Sequence, residues 1–153
     1  MQSIRALPSL LAGPWKSLEE VGRGATAVVH RAKHTSSGQV AALKIVPAAL
    51  AGEAAIVSAI GRRWGPGLLD AGRVGDDVYL ALEWTEGTPL SDHRGKDPER
   101  TAAIVAHAVG RALAELHAAG VRHGDVKPAN VLVAETDFER AHRLFFTERE
   151  DEL

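Results

Sequence analysis

The sequence contains no cysteine, which excludes disulfides, thiolate catalysis and cysteine-ligated zinc. It also lacks an excess of either charge: 18 Lys and Arg oppose 20 Asp and Glu, for a formal net charge of −2. That balance offers no basic footprint for nucleic acid or for an anionic membrane. Long apolar runs are missing too, because Lys44, Pro47 and Glu53 break the most hydrophobic stretch, and no segment is expected to span a bilayer. Arg5 and a short Leu10-Leu11 patch give too little apolar length for a signal peptide. There is no internal repeat and no low-complexity tract. What remains, 153 residues with 45% hydrophobic and 25% charged side chains, describes one compact domain with a real core, expected in the cytoplasm.

Residues 1–13, with Pro8 and Gly13, read as an irregular lead-in. From about Ser17 to Val46 the pattern is β, with strand-like runs at 27–32 and 40–46 around the turn formers Thr35-Ser36-Ser37-Gly38. Residues 49–60 are alanine-rich and carry Glu53, Ile56, Val57 and Ile60 at helical spacing. Residues 68–74 and 78–84 are further strands, joined by the hairpin signal Gly75-Asp76-Asp77. Gly87-Thr88-Pro89 then interrupts the β region as a hinge between two halves. The clearest helix follows. Asp97 suits its N-cap, Pro98 its first position and Glu99 its positive end. Val105, Val109, Leu113 and Leu116 recur at three- and four-residue steps, and Gly120 can close it.

Three stretches carry chemistry. In Val21-Gly22-Arg23-Gly24-Ala25-Thr26-Ala27-Val28-Val29 the glycines sit between two strands, where they let a backbone approach phosphates closely and adopt positive φ. A dinucleotide fingerprint would need those glycines to open a helix, and Ala27-Val28-Val29 continues as a strand instead. Lys44 lies inside the apolar run Ala42-Leu43-Lys44-Ile45-Val46. A charge there needs a partner; Glu53 in the next helix is the natural one, and phosphates under the glycine turn are another. The third stretch, His123-Gly124-Asp125-Val126-Lys127-Pro128-Ala129-Asn130-Val131-Leu132-Val133, is a polar loop between a helix and an apolar run. Asp125 can orient or deprotonate an attacking hydroxyl, Lys127 can neutralise a transferring phosphoryl group, and Asn130 offers a hard oxygen to magnesium.

With these residues in order, the chain resembles the eukaryotic-type (bacterial Ser/Thr) protein kinases. His-x-Asp-x-Lys-Pro-x-Asn at 123–130 is similar to their catalytic loop, and Gly22-x-Gly24-x-x-Ala27-x-Val29 to their nucleotide loop with alanine in the third glycine's place. Ala42-Leu43-Lys44 resembles the strand-3 lysine motif, Glu53 the αC glutamate at a shorter spacing than usual, and Leu82-Glu83-Trp84-Thr85 the gatekeeper and hinge. The resemblance implies an α+β, protein-kinase-like fold: a five-stranded antiparallel N-lobe sheet with an αC helix, and an incomplete helical C-lobe. It also implies the boundaries 14–88 for the N-lobe, 89–133 for the partial C-lobe and 134–153 for a tail. By the same resemblance ATP and Mg2+ are the cofactors. Val21, Gly22, Gly24, Val29, Ala42, Lys44, Glu53, Leu132 and the backbone of Glu83 and Thr85 would hold the nucleotide, Asn130 the metal, and Asp125, Lys127 and Asn130 the reaction. The partner implied is a protein substrate presenting a hydroxyl.

Two departures qualify that picture. Gly124 replaces the arginine that in many kinases pairs with a phosphorylated activation loop, and His-Gly-Asp also resembles small-molecule phosphotransferases related to aminoglycoside and choline kinases; Lys127-Pro128 favours the protein-kinase branch. Only residues 131–153 follow Asn130, where the family continues through a β-hairpin, Asp-Phe-Gly, an activation loop and more helices, so the chain is expected to be truncated after the catalytic loop. Asp137-Phe138 is the one counterpart of the metal aspartate, but Thr136-x-x-Glu139 also fits a capping box, with Phe138, Ala141, Leu144 and Phe145 on one face of a short amphipathic tail helix. Beside an active kinase stand two other readings, a catalytically silent binding module that engages a partner protein over the incomplete C-lobe, and a small-molecule phosphotransferase. Thirteen Arg against five Lys, with abundant Ala, fits a GC-rich bacterial genome.

Overall fold

The structure, a computed structural model, describes residues 10–25, 27–52, 65–133 and 142–144. The chain divides into two compact units, residues 1–54 with 68–84, and residues 55–67 with 85–153.

The first unit is a single antiparallel sheet of β1 (Leu11–Ala12), β2 (Trp15–Arg23), β3 (Val28–His34), β4 (Val40–Pro47), β5 (Leu68–Val74) and β6 (Asp77–Glu83), in the order β1-β2-β3-β4-β6-β5. Gly38 and Gly75 take φ of +74° and +59° at the β3–β4 and β5–β6 turns, a backbone region that glycine enters without steric penalty. The sheet has six strands, not the five expected. Leu11–Ala12, read from sequence as part of an irregular lead-in, turns back at Gly13 (φ +56°) and pairs with Trp15 and Lys16. Where a helix is expected over 49–60, Ala48–Leu50 form a single 3-10 turn; residues 53–60, Glu53 among them, lie outside the described residues.

β4 is the spine of this sheet, flanked by β3 and β6. Its side chains alternate, and both faces are covered: residues 41–46 are all buried. That is why it reads as a continuous apolar run rather than as an alternation. Ala41, Leu43 and Ile45 join Ala12, Trp15, Ala32, Tyr79 and Ala81 in one core, while Ala42, Lys44 and Val46 point to the opposite face. The core is pinned by Asp70, whose Oδ2 accepts both Trp15 Nε1–H and Tyr79 O–H at 3.0 Å. Gly72 gives the phenol its room, since a Cβ there would stand 2.8 Å from Tyr79 Cε1.

The second unit contains β7 (Thr88–Pro89), α1 (Pro98–Ala118), a 3-10 turn at Pro128–Asn130, β8 (Val131–Val133) and β9 (His142–Leu144). α1 starts as its sequence demands: Asp97 accepts the Arg100 backbone N–H at 2.9 Å and Pro98 occupies the first turn. It ends at Gly120 (φ +74°), with Val121 N–H returning to the Leu116 carbonyl at 2.8 Å. Its buried stripe is Thr101, Val105, Ala112 and Leu116. Val105 and Ala112 form a small core with Val131 of β8, against which Leu90 and Val109 pack. No described helix is long and apolar enough to cross a membrane.

Two tail and hinge readings change here. Thr88–Pro89 pairs with Val133 and Leu132 as a short strand. Residues 142–144, expected in the tail helix, form an antiparallel strand on the other side of β8, with Val131 opposite Leu144 and Val133 opposite His142. The capping-box signal is local and worth about 1 kcal/mol, whereas β8 without β9 would leave a row of backbone donors and acceptors unpaired; the ladder wins. Asp137, and the rest of the proposed tail helix, lie outside the described residues.

The shared acceptor at Asp70 gives the first test. Asp70→Ala leaves two partly buried donors without an acceptor and is expected to lower stability by about 2–4 kcal/mol, against about 1 kcal/mol for Tyr79→Phe, read from urea midpoints. Equal losses in the two variants would show that Trp15 does not depend on Asp70.

Candidate active site

The glycine segment is the β2–β3 hairpin. Gly22 lies opposite Val29 in the ladder, and Gly24 N–H closes the turn on the Ala27 carbonyl at 2.8 Å. Neither glycine adopts positive φ, in contrast to the sequence expectation. Nor does the hairpin exclude a side chain: a Cβ at Gly22 or Gly24 would meet nothing closer than 3.9 Å. Among the described residues, packing therefore gives no reason for glycine at either position.

Lys44 is 2% exposed. It pairs with Val29 on β3 and Leu80 on β6, and it shares its face of β4 with Ala42, itself buried and paired with Arg31 and Leu82. Val29, Ala42 and Lys44 are therefore brought together on one face of the sheet. Val21 is a half-exposed apolar residue at the register shift between Glu20 and Gly22 in β2. Glu83 ends β6, and Thr85 follows with a buried hydroxyl that has no hydrogen-bond partner in the structure.

On the opposite face, beside the glycine hairpin, His30 is 8% exposed and hydrogen-bonds through Nδ1 to Ser17 Oγ at 2.9 Å. Burial holds its pKa below the usual imidazole value, although Glu20 pulls the other way. Glu20 itself is held below the ordinary carboxylate range chiefly by its hydrogen bonds from Arg23, at 2.8 and 2.7 Å.

In the second unit the three residues singled out for chemistry converge. Lys127 Nζ stands 2.8 Å from Asp125 Oδ2. Asn130 Nδ2 donates to the same Oδ2 at 3.0 Å and to the Asp125 carbonyl at 2.8 Å. The 3-10 turn produces this arrangement: Pro128 opens it, Asn130 N–H bonds the Lys127 carbonyl at 2.9 Å, and the Asn130 side chain swings back under the loop, 2% exposed. Both N–H bonds of the amide are spent on Asp125, so its carbonyl end is the one chemically suited to a hard cation. Upstream, Asp125 N–H donates to Nδ1 of the buried His123 at 3.1 Å, which sets the neutral ring's proton on Nε2. Gly124 has φ +86°, so the loop turns through a conformation that an arginine at this position could not adopt without strain. Leu132, half-buried, follows in β8 opposite Pro89. Sequence reasoning passed over Arg31 and took Trp84 only as part of the hinge motif; their meeting depends on strand register, which no local motif encodes.

Over residues 15–144 the chain matches the family model described as protein kinase domain. It is 31% identical over 140 residues to serine/threonine-protein kinase PknD of Mycobacterium tuberculosis (strain ATCC 25618 / H37Rv), covering 82% of this chain and 21% of that protein. For serine/threonine-protein kinase PknE of the same strain the identity is 31% over 140 residues, with 82% and 25% covered. For serine/threonine-protein kinase PKZ1 of Phytophthora infestans (strain T30-4) it is 33% over 137 residues, with 78% and 34% covered. This chain belongs to the protein kinase family. It spans about a fifth to a third of the length of these relatives, and the family generally uses ATP and Mg2+.

The His30 environment predicts a pH dependence. Because burial favours the neutral ring, the native state holds fewer protons than the unfolded one; the stabilisation is complete above about pH 6.5 and is lost as pH falls towards the lowered native value. Urea midpoints of the wild type should fall between pH 7 and pH 5 more steeply than those of His30→Gln. Parallel curves would refute the assignment. At Gly124, substitution by Arg should destabilise by about 1–2 kcal/mol, the usual penalty for a side chain in the left-handed region.

Proposed function

We propose that this chain is an ATP-binding protein serine/threonine kinase domain that transfers the γ-phosphoryl group of Mg-ATP to a protein hydroxyl. The observation that carries the proposal is the Asp125–Lys127–Asn130 cluster, in which one carboxylate oxygen is fixed by two donors while the groups remain at a loop surface. Bound Mg-ATP supplies the phosphoryl group and the metal's charge. Asp125 then orients the attacking hydroxyl and receives its proton. Lys127, half-exposed and already beside Asp125, neutralises negative charge that develops on the transferred group. Asn130 would hold the metal through its amide oxygen, a hard donor of the kind magnesium takes.

The nucleotide reading rests on the sheet. Lys44 supplies the cation for phosphate oxygens, and the bare Gly22 and Gly24 leave their backbone accessible. Val21, Val29, Ala42 and Leu132 offer apolar surface to the base, and the Glu83 and Thr85 backbone its hydrogen bonds. Glu53, the lysine's counter-charge by resemblance, remains part of the proposal. A second reading, a kinase-like module that binds nucleotide and a partner without turnover, is favoured by Val126, a 46% exposed apolar residue in the middle of the catalytic loop.

Phosphoryl transfer from labelled ATP to a generic protein substrate decides between them. Asp125→Ala should reduce the rate at least about a hundredfold while leaving nucleotide binding intact, and Lys44→Ala should weaken binding. Gly22→Ala and Gly24→Ala should leave the melting temperature without ligand at or above the wild-type value and remove the stabilisation by millimolar ATP. Transfer by Asp125→Ala at the wild-type rate would overturn the kinase reading; ATP protection without transfer by the wild type would select the binding module. Transfer to an amino alcohol or aminoglycoside but to no protein would select the small-molecule enzyme instead.

A further inference from the structure

Arg31 and Trp84 come together on the face of the sheet that carries Lys44. In the ladder Arg31 is opposite Ala42, and Ala42 is opposite Leu82, so these three form one row; Trp84 follows two residues later on the same alternation. Ala42 is small, and the Arg31 side chain crosses over its row to put the guanidinium carbon 5.2 Å from the centroid of the Trp84 ring. Its other ionic neighbour is weaker. Glu19, opposite Arg31 on β2, approaches Nη1 only to 3.7 Å, and its side chain is 60% exposed. A pair so open to solvent is screened and holds a guanidinium loosely, whereas the indole face gives it a fixed surface to lie on.

The arrangement is not one that stability alone would select. Arg31 Nε is buried and has no hydrogen-bond partner in the structure, and an unmet donor of this kind works against folding. A leucine or methionine would cover Ala42 and Trp84 without that penalty. What the arginine adds is a directional hold on one indole. Trp84 is the first residue beyond β6, and residues 84–87 belong to no helix or strand. Glu83, just before it, is the last residue of the ladder, opposite Ala41, so the indole is held next to the point where the chain leaves the sheet.

We propose that Arg31 is a positioning residue for nucleotide recognition: by holding the Trp84 indole it fixes the Glu83–Thr85 backbone that reads the purine base. The inference rests on the ATP-binding reading above and adds to it a division of labour. Arg31 acts on the base end of the ligand through Trp84, and Lys44 with the glycine hairpin acts on the phosphate end.

ATP and inorganic tripolyphosphate separate the two ends. Affinities for both ligands are to be measured by calorimetry on the full chain for wild type, Arg31→Leu, Arg31→Lys, Trp84→Ala, Trp84→Phe and the double variant Arg31→Leu/Trp84→Ala. Arg31→Leu and Trp84→Ala are each expected to weaken ATP roughly fivefold to tenfold and to leave tripolyphosphate unchanged. The double variant should be no weaker than the weaker single one, because both lose the same contact. Trp84→Phe, which retains a ring face, should stay within about twofold of wild type, and Arg31→Lys should fall between. Equal losses for ATP and tripolyphosphate, additive losses in the double variant, or an unchanged ATP affinity in Arg31→Leu would each overturn the proposal while leaving ATP binding in place. A wild type that binds neither ligand would overturn the ATP-binding reading together with it.

Discussion

An ammonium group buried at the centre of a sheet sets the terms for the first unit. Lys44 sits on β4 with neighbours on both sides and is almost entirely removed from water. A charge in that position is tolerated only with counter-charges and a rigid surround, because the desolvation penalty is large. Rigidity has to come from the other face of the same strand. There Leu43 and Ile45 pack with Trp15 and Tyr79, and both aromatic donors are tied to a single carboxylate oxygen of Asp70. The short β1 strand and the turn at Gly13 complete that core by contributing Ala12. A segment remote in sequence from every motif is thus part of what holds the lysine's strand in place.

The second unit solves a related problem with neutral groups. Asp125 and Lys127 stay partly exposed on their loop, yet the loop does not let the carboxylate wander. The flanking residues are the buried ones: Asn130 and His123 are each under 4% exposed and hold Asp125 by side chain and backbone. Val131, packed on Val105 and Ala112 of α1, fixes the strand that follows, and β7 and β9 pair along its two sides. Glycine at 124 lets the chain make this turn at φ +86° and removes any side chain that could link the loop to a distant phosphate.

Much of this was legible in the residues alone, wherever the controlling interaction is local. Asp97, Pro98 and Gly120 bound α1 because a helix end is settled within four residues. The turns at 35–38 and 75–77, and the order of the chemical motifs from Gly22 to Asn130, were equally readable. The failures share one cause. The strand at Leu11–Ala12, the strand at His142–Leu144 and the Arg31–Trp84 contact are all fixed by pairing between segments far apart in sequence, and local propensity is a weak guide there. The glycine hairpin erred in the other direction: positive φ was assigned to Gly22 and Gly24 by residue type, while the ladder holds both in ordinary backbone and leaves only their missing side chains to explain.

That last point separates two uses of glycine within one chain, and with them two kinds of evidence. At Gly13, Gly38, Gly75 and Gly124 the backbone itself requires the residue, so its presence says nothing about a ligand. At Gly22 and Gly24 neither conformation nor any described neighbour requires it, and at Gly22, within β2, an alanine would favour the strand by roughly 0.5–1 kcal/mol. A choice that runs against stability in the free chain is the kind a ligand would explain. Arg31 poses the same question with a side chain in place of a missing one: its buried Nε lacks a hydrogen-bond partner, although an apolar residue would fit the row. Gly22 pairs with Val29 and Arg31 follows two residues later on β3, both on the face that carries Lys44. In the function proposed above the glycines bear on the phosphate end of the ligand and Arg31, through Trp84, on its base end, so two departures from the most stable choice share one face of the sheet.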